Sequence, residues 1–254
     1  MSPFHGVQQF VHGARIARNP QLARYSWAPA LSSAIIIGLG LALAASWVNE
    51  FSTWLVAQLP DWLGFLEQIL TPLLYLFGLL FGAWTFGFLA VIIAGPFLGN
   101  LSRKVEALET REAPVDPRSF LQGLLNGIKR EFRKLGYYLP RLLLVLLITL
   151  IPVINIIAPI IWFGFGAWTM AVQFCDYPTE NRNLPFVDTL ERLRRHRGAA
   201  LGFGGCVALM LAIPLANFLV IPIAVAGGTL LWHTLEESAA PVPKLEGENE
   251  PHKR

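Results

Sequence analysis

The chain has 254 residues, of which 54% are hydrophobic and only 15% charged, with a net charge of +3. Ordinary soluble domains carry about 25% charged residues, so charge does not supply solubility here. A soluble enzyme built on one buried core is excluded, and two cysteines are too few for a disulfide-stapled secreted domain.

The 20 Lys and Arg and 17 Asp and Glu are segregated along the chain. Residues 25–49, 68–102, 142–175 and 198–235 contain none of them. About 20 apolar residues cross a bilayer, so the protein is an integral membrane protein. A single membrane domain over 1–237 and a polar, disordered tail over 238–254 are expected.

The N-terminal residues lack the apolar core of a cleavable signal. Phe4, Val7, Phe10, Val11 and Ala14 recur at helical spacing, which predicts an amphipathic helix over 4–17 at the membrane surface. Asn19-Pro20 reads as an N-cap followed by proline at the first helical position. A helix from there holds a first span over 27–48. The connection 50–67 is acidic, with Trp47, Trp54 and Trp62 at or near its ends as interfacial aromatics. A second span over 69–95 closes at Gly95-Pro96. Residues 103–141 hold nine basic and five acidic residues. They predict basic cytoplasmic helices within 97–141, parted by a turn at Ala113-Pro114-Val115-Asp116-Pro117.

The last two apolar stretches repeat one pattern. Ile151-Pro152-Val153-Ile154-Asn155 matches Ile213-Pro214-Leu215-Ala216-Asn217, and Pro159 and Pro222 follow. Proline breaks a helix, and the Asn amide can satisfy the freed backbone groups. As one straight helix, 142–175 is about 51 Å long against a hydrocarbon core of about 30 Å. The segment between the stretches, 176–197, holds five Arg. Basic segments stay cytoplasmic. If each stretch enters and returns, all 20 Lys and Arg share one side. The arm 142–151 is about 15 Å long, half a bilayer.

These features predict an all-α integral membrane protein. It has two long transmembrane helices and two Pro/Asn-broken re-entrant hairpins, 142–175 and 199–235, that penetrate partway. The alternative is two kinked hairpins of full length. Irregular backbone at depth requires a protein or water surround, so the tips are buried in an oligomer or line a pathway.

No catalytic constellation, metal-ligand spacing or phosphate-binding loop is present, so no cofactor, no metal and no ATP hydrolysis by this chain are expected. Arg24 stands one turn into the helix that starts at Asn19-Pro20. Backbone N–H groups and a guanidinium there suit a tetrahedral oxyanion; snorkelling to lipid headgroups suits Arg24 as well. Asn155 and Asn217 at the hairpin tips, with Gln173 in the return arm, either line a pathway or cap broken helices. Glu106, Glu131 and Asp176 at the membrane edge pair with nearby cations such as Lys104, Arg130 and Arg141. The run 129–134 and Arg192–Arg197 read as anchors to anionic lipid. Nucleic acid is not an expected partner.

Several segments together resemble the CysZ family of bacterial inner-membrane sulfate transporters. They are Gly95-Pro96-Phe97 with Lys104-Val105-Glu106, and Arg130-Glu131 through Tyr138-Leu139-Pro140-Arg141. Ala167-Trp168 through Gln173-Phe174-Cys175-Asp176-Tyr177-Pro178 is the most distinctive, and Ile213-Pro214 to Asn217 completes the set. The resemblance covers about residues 5–235. It implies a multi-pass inner-membrane homo-oligomer that admits sulfate, or a related oxyanion such as sulfite, for cysteine biosynthesis. It also implies a sulfate site at a Gly-Leu-Arg-Arg-like turn. The matching residues are Gln21-Leu22-Ala23-Arg24, so Leu22, Ala23 and Arg24 are the implied sulfate-binding residues, with only the second arginine kept. A competing reading from the residues is a non-transporting scaffold whose hairpins wedge into one leaflet and remodel the bilayer.

Overall fold

The computed structural model describes residues 1–58, 60–110, 120–152, 154–213 and 217–238. The expected turn at 113–117, Pro214 and the tail from 239 lie outside them. Among the described residues the fold is all-α, without a strand. Eight α-helices follow in order: α1 Pro3–Ala17, α2 Pro20–Ala57, α3 Glu67–Thr110, α4 Phe120–Thr149, α5 Ala158–Asn181, α6 Phe186–Arg195, α7 Arg197–Leu211 and α8 Asn217–Glu237. Short 3-10 turns at Asp61–Leu66 and Ile154–Ile157 precede α3 and α5.

Among the described residues four helical segments are long and apolar enough to cross a bilayer: Ala34–Ala57, Gly64–Phe86, Asn155–Asn181 and Leu219–Glu237. The first lies in α2, and the second runs from the end of the Asp61–Leu66 turn into α3; α2 and α3 run antiparallel. Gly40 meets Phe86, Gly82 meets Ala44, and Gly78 meets Val48. A Cβ on Gly40 would stand 2.0 Å from the Phe86 ring, and one on Gly78 2.1 Å from Val48 Cγ2. Small residues let apolar helices approach where no hydrophobic force separates protein from lipid. Towards the far end the Tyr75 hydroxyl donates to Asn49 Oδ1 at 3.0 Å.

Helix ends differ from those set by composition. α2 continues past 48 to Ala57, and α3 runs through Pro96 to Thr110. One proline removes a single backbone donor, while Leu98, Leu101 and Val105 are buried in the core and hold the helix on course. α4 passes from its basic half into its apolar arm without a break at 141. A boundary in charge is not a boundary in conformation.

The two hairpins are visible in their pairings. On α4 and α5, Arg130 meets Asp176, Glu131 meets Gln173, and Tyr137 meets Trp168. Rising numbers meet falling ones, so α4 and α5 are antiparallel and the chain reverses between Thr149 and Ala158. The second reversal lies between α7 and α8. There the Asn217 carboxamide, oriented donor to acceptor, reaches the Leu211 carbonyl at 3.0 Å and the Ile213 carbonyl at 3.3 Å. α1 packs one face across this second hairpin. Backbone contact explains its glycines: a Cβ on Gly6 would stand 2.0 Å from the Ala199 carbonyl oxygen, and one on Gly13 2.4 Å from Gly227 N. The amphipathic N-terminal helix is thus docked on protein, with Phe4 and Val11 on its open side.

α3 and α8 lie side by side and parallel. Ser102 and Thr229 share a hydrogen bond of 2.8 Å, and Glu106 faces His233 at 3.2 Å. From that level α3 extends about 53 Å back to Glu67, whereas α8 extends about 18 Å back to Asn217. The α2–α3 arm therefore reaches farther along its axis than the second hairpin by more than the thickness of a hydrocarbon core, about 30 Å.

Candidate functional site

The charged end of the bundle gathers α3, the first half of α4, the end of α5, α6 and the end of α8. Two polar clusters lie there. In the first, Arg130 grips Asp176 bidentately, Nε to Oδ2 at 2.7 Å and Nη2 to Oδ1 at 2.6 Å. Lys134 stands 3.1 Å from Asp176 Oδ2 and donates to Glu131 Oε1 at 2.8 Å. Thr189 Oγ1 donates to Asp176 at 2.8 Å, and Gln173 Nε2 to Glu131 at 3.4 Å. Arg130 also donates to the Leu184 carbonyl at 2.8 Å. That carbonyl is presented by a tight turn in which Asn183 takes φ 57, a conformation asparagine tolerates. Asp176 thus ties α4, α5 and α6 together.

Lys134 is 1% exposed. Burial alone would push its ammonium down, but Asp176 and Glu131 outweigh it and hold it above its ordinary value.

The second cluster centres on Glu106. Arg182 Nε donates to Glu106 Oε1 at 2.9 Å, with a second contact from its Nη2. His233 Nε2 lies 3.2 Å from the same carboxylate. Arg182 reaches Glu236 at 3.1 Å and Arg192 reaches it at 3.5 Å. Both guanidiniums stack on the Trp232 ring, 4.7 and 4.1 Å from its centre, where cation–π attraction adds to the ion pairs. Burial pushes the Glu106 carboxyl up; the close approach of His233 and the hydrogen-bonded Arg182 more than reverse it and leave it below the ordinary range.

In the first cluster Arg130 and Lys134 face Asp176 and Glu131, with Glu180 close by; in the second Arg182 and Arg192 face Glu106 and Glu236. Desolvated charges persist when so paired. These clusters lock helices and leave little positive charge for a dianion.

The sequence-derived residues are spread over the two clusters, the Tyr137 ring, the hairpin tips and the start of α2. Arg130, Glu131, Asp176 and Gln173 share the first cluster. Glu106 takes its partners from α5 and α8, while its near neighbour Lys104 is exposed. Arg141 lays its guanidinium 3.6 Å over the Tyr137 ring and donates to the Tyr137 carbonyl at 2.6 Å. Asn155 and Asn217 are at the hairpin tips, Asn155 exposed and its N–H bonded to the Ile151 carbonyl at 3.0 Å. Leu22 is 2% exposed and donates its N–H to the Asn19 carbonyl at 2.9 Å, so that amide is already engaged. Ala23 and Arg24 stand in the first turns of α2, their side chains outside the described set. Sequence reasoning missed Arg182, Trp232, His233 and Glu236. The one signal for Lys134 was its four-residue spacing from Arg130.

The family model described as Sulfate transporter CysZ/Etoposide-induced protein 2.4 matches residues 9–222. Sulfate transporter CysZ of Pseudomonas paraeruginosa (strain DSM 24068 / PA7) is 39% identical over 238 residues, covering 91% of this chain and 96% of its own. The protein of that name from Pseudomonas syringae pv. tomato is 41% identical, covering 89% and 91%. The one from Vibrio parahaemolyticus serotype O3:K6 is 36% identical, covering 89% and 93%. Similarity at this level along nearly the whole length makes the chain a member of the Sulfate transporter CysZ/Etoposide-induced protein 2.4 family.

Proposed function

We propose that this protein admits sulfate across a bacterial inner membrane for assimilation into cysteine, acting as a channel or secondary permease that hydrolyses no ATP. It is a transporter and not an enzyme. The observation that carries this reading is the name sulfate transporter CysZ on relatives aligned over about nine-tenths of the chain.

The geometry supports it. A dianion in hydrocarbon is prohibitively costly, so a wet path lined by donors is required. The α2–α3 arm has the reach to cross the bilayer. The second hairpin, about 35 Å shorter from the same level, ends inside it if both start at one interface, and its tip then surrounds a short path. Large apolar residues at the first tip, Leu150, Ile156 and Ile160, are 71%, 82% and 73% exposed; lipid and a second copy of the chain cover them in this reading. Because the buried cations are neutralised, capture of the anion falls to the start of α2, with Arg24 as the charged group beside Leu22 and Ala23. Sulfite and other tetrahedral or pyramidal oxyanions suit the same donors. A bilayer-wedging scaffold would need no anion and is not favoured by the names of the relatives.

Flux of labelled sulfate into proteoliposomes tests the reading. Uptake well above that of empty vesicles, reduced severalfold by Arg24→Ala, is expected. Uptake equal to that of empty vesicles overturns transport; full uptake by R24A overturns the assigned site alone.

A further inference from the structure

The basic run 129–134 is one block in the sequence and two faces in the structure. Arg130 and Lys134 point inward and belong to Asp176. Lys129 and Arg133 are exposed. Glu131 faces inward too, towards Lys134 and Gln173, so it is directed away from the outer cations. Arg141, the next cation along, is withdrawn onto Tyr137.

The outer cations sit in an apolar stripe. Leu125, Phe132 and Leu139 are 52%, 59% and 48% exposed and stand seven residues apart, and the stripe runs on through Leu143 and Leu147 at four-residue steps. Such steps keep one helix face turned outward. A helix bathed in water does not present Phe and Leu between its lysines and arginines. Nor does the stripe change character at the end of the basic half, since α4 is continuous to Thr149. Arg133 lies about 15 Å along the axis from Leu143 and about 21 Å from Leu147. If the leucines lie among acyl chains, the two cations stand at the level of headgroups.

We propose that the outer face of α4 binds anionic phospholipid, with Lys129 and Arg133 taking the headgroup phosphate and Phe132, Leu139 and Leu143 lying against the chains. Cations flanked by exposed apolar groups match the two halves of such a lipid and no purely aqueous partner. The inference deepens the membrane placement of the fold and does not depend on sulfate being the cargo.

The test uses the full chain in neutral detergent, titrated with phosphatidylglycerol, phosphatidylcholine or inorganic phosphate, with thermal unfolding as the readout. Phosphatidylglycerol is expected to raise Tm above the phosphatidylcholine value. The double variant Lys129→Gln/Arg133→Gln is expected to need about 25-fold more phosphatidylglycerol for the same shift, at about fivefold per cation, while matching wild type in phosphatidylcholine. The swap Lys129→Arg/Arg133→Lys keeps the wild-type response. Equal phosphatidylglycerol responses in wild type and the Gln variant overturn the proposal. So does an equal Tm shift with phosphate alone, which marks a free-anion site. A change of oligomeric state in the Gln variant also overturns it, because a second copy then covers this face. Sulfate flux in wholly phosphatidylcholine vesicles separates failure here from failure of transport.

Discussion

The α2–α3 arm and the charged end of the bundle are held by opposite means. In the arm, glycines meet Phe86, Val48 and Ala44, and outward residues such as Leu39, Trp47 and Trp84 are 63%, 75% and 72% exposed. At the charged end, Trp232, Phe203 and Leu101 are sealed and carboxylates are gripped by cations from other helices. The arm has no core of its own and depends on lipid to cover it. The charged end carries its own apolar core and its own ion pairs, so it tolerates water on its outside. One chain thus joins a part stabilised by its surroundings to a part stabilised by itself.

The strongest way to break this contrast is at Asp176. Asp176→Ala strands Arg130 and Lys134 without their shared carboxylate, and removing one partner of a buried pair costs about 3–5 kcal/mol. The loss is expected in detergent and in bilayers alike, read as a lowered unfolding temperature in both. A loss seen in only one medium would show that the charged end is not self-sufficient.

A smaller effect is expected in the arm. Gly40→Leu drives a side chain into Phe86 and costs about 1–3 kcal/mol, as overpacking does. Its size is expected to depend on the medium, larger in micelles than in a bilayer whose lateral order keeps the pair upright. Equal losses in both would place the arm's stability in its own contacts.

The arm was the more legible of the two regions. Length without charge gave α2 and α3, and the repeated Pro-x-x-Asn pattern gave the two reversals. Their ends were not legible, because Pro96 stops a helix in isolation and yields to packing by Leu98 and Leu101. The charged end was legible only by type. Acidic residues at the membrane edge called for cations, but Asp176 finds Arg130 46 positions away and Glu106 finds Arg182 76 positions away. Such partners follow from which helices lie side by side, and local spacing does not state that. At the proposed sulfate turn, Arg24 was legible as a cation at a helix start, whereas the engagement of the Leu22 amide by Asn19 needed the backbone.

The smallest effect sharpens the contrast through pH. Glu106 is 1% exposed and its carboxyl is held below the ordinary range against the pull of burial. Its folded form therefore releases the proton more readily than the unfolded chain does. The unfolded chain binds more protons over the interval between the two values, so stability rises with pH there. The contribution is complete above the ordinary Glu value of about 4.3. It fades as pH falls through that value towards the lower folded one. Glu106→Gln removes this titration and leaves Arg182 and His233 with a neutral partner. Unfolding temperature followed from about pH 7 down to about pH 3 is expected to start lower in E106Q and to fall less steeply than in wild type as the ordinary Glu range is crossed. Parallel curves would mean that Glu106 is not held by its neighbours as the geometry requires. Because no such carboxylate lies between α2 and α3 among the described contacts, arm substitutions such as Gly40→Leu should shift the whole curve without changing its acid slope.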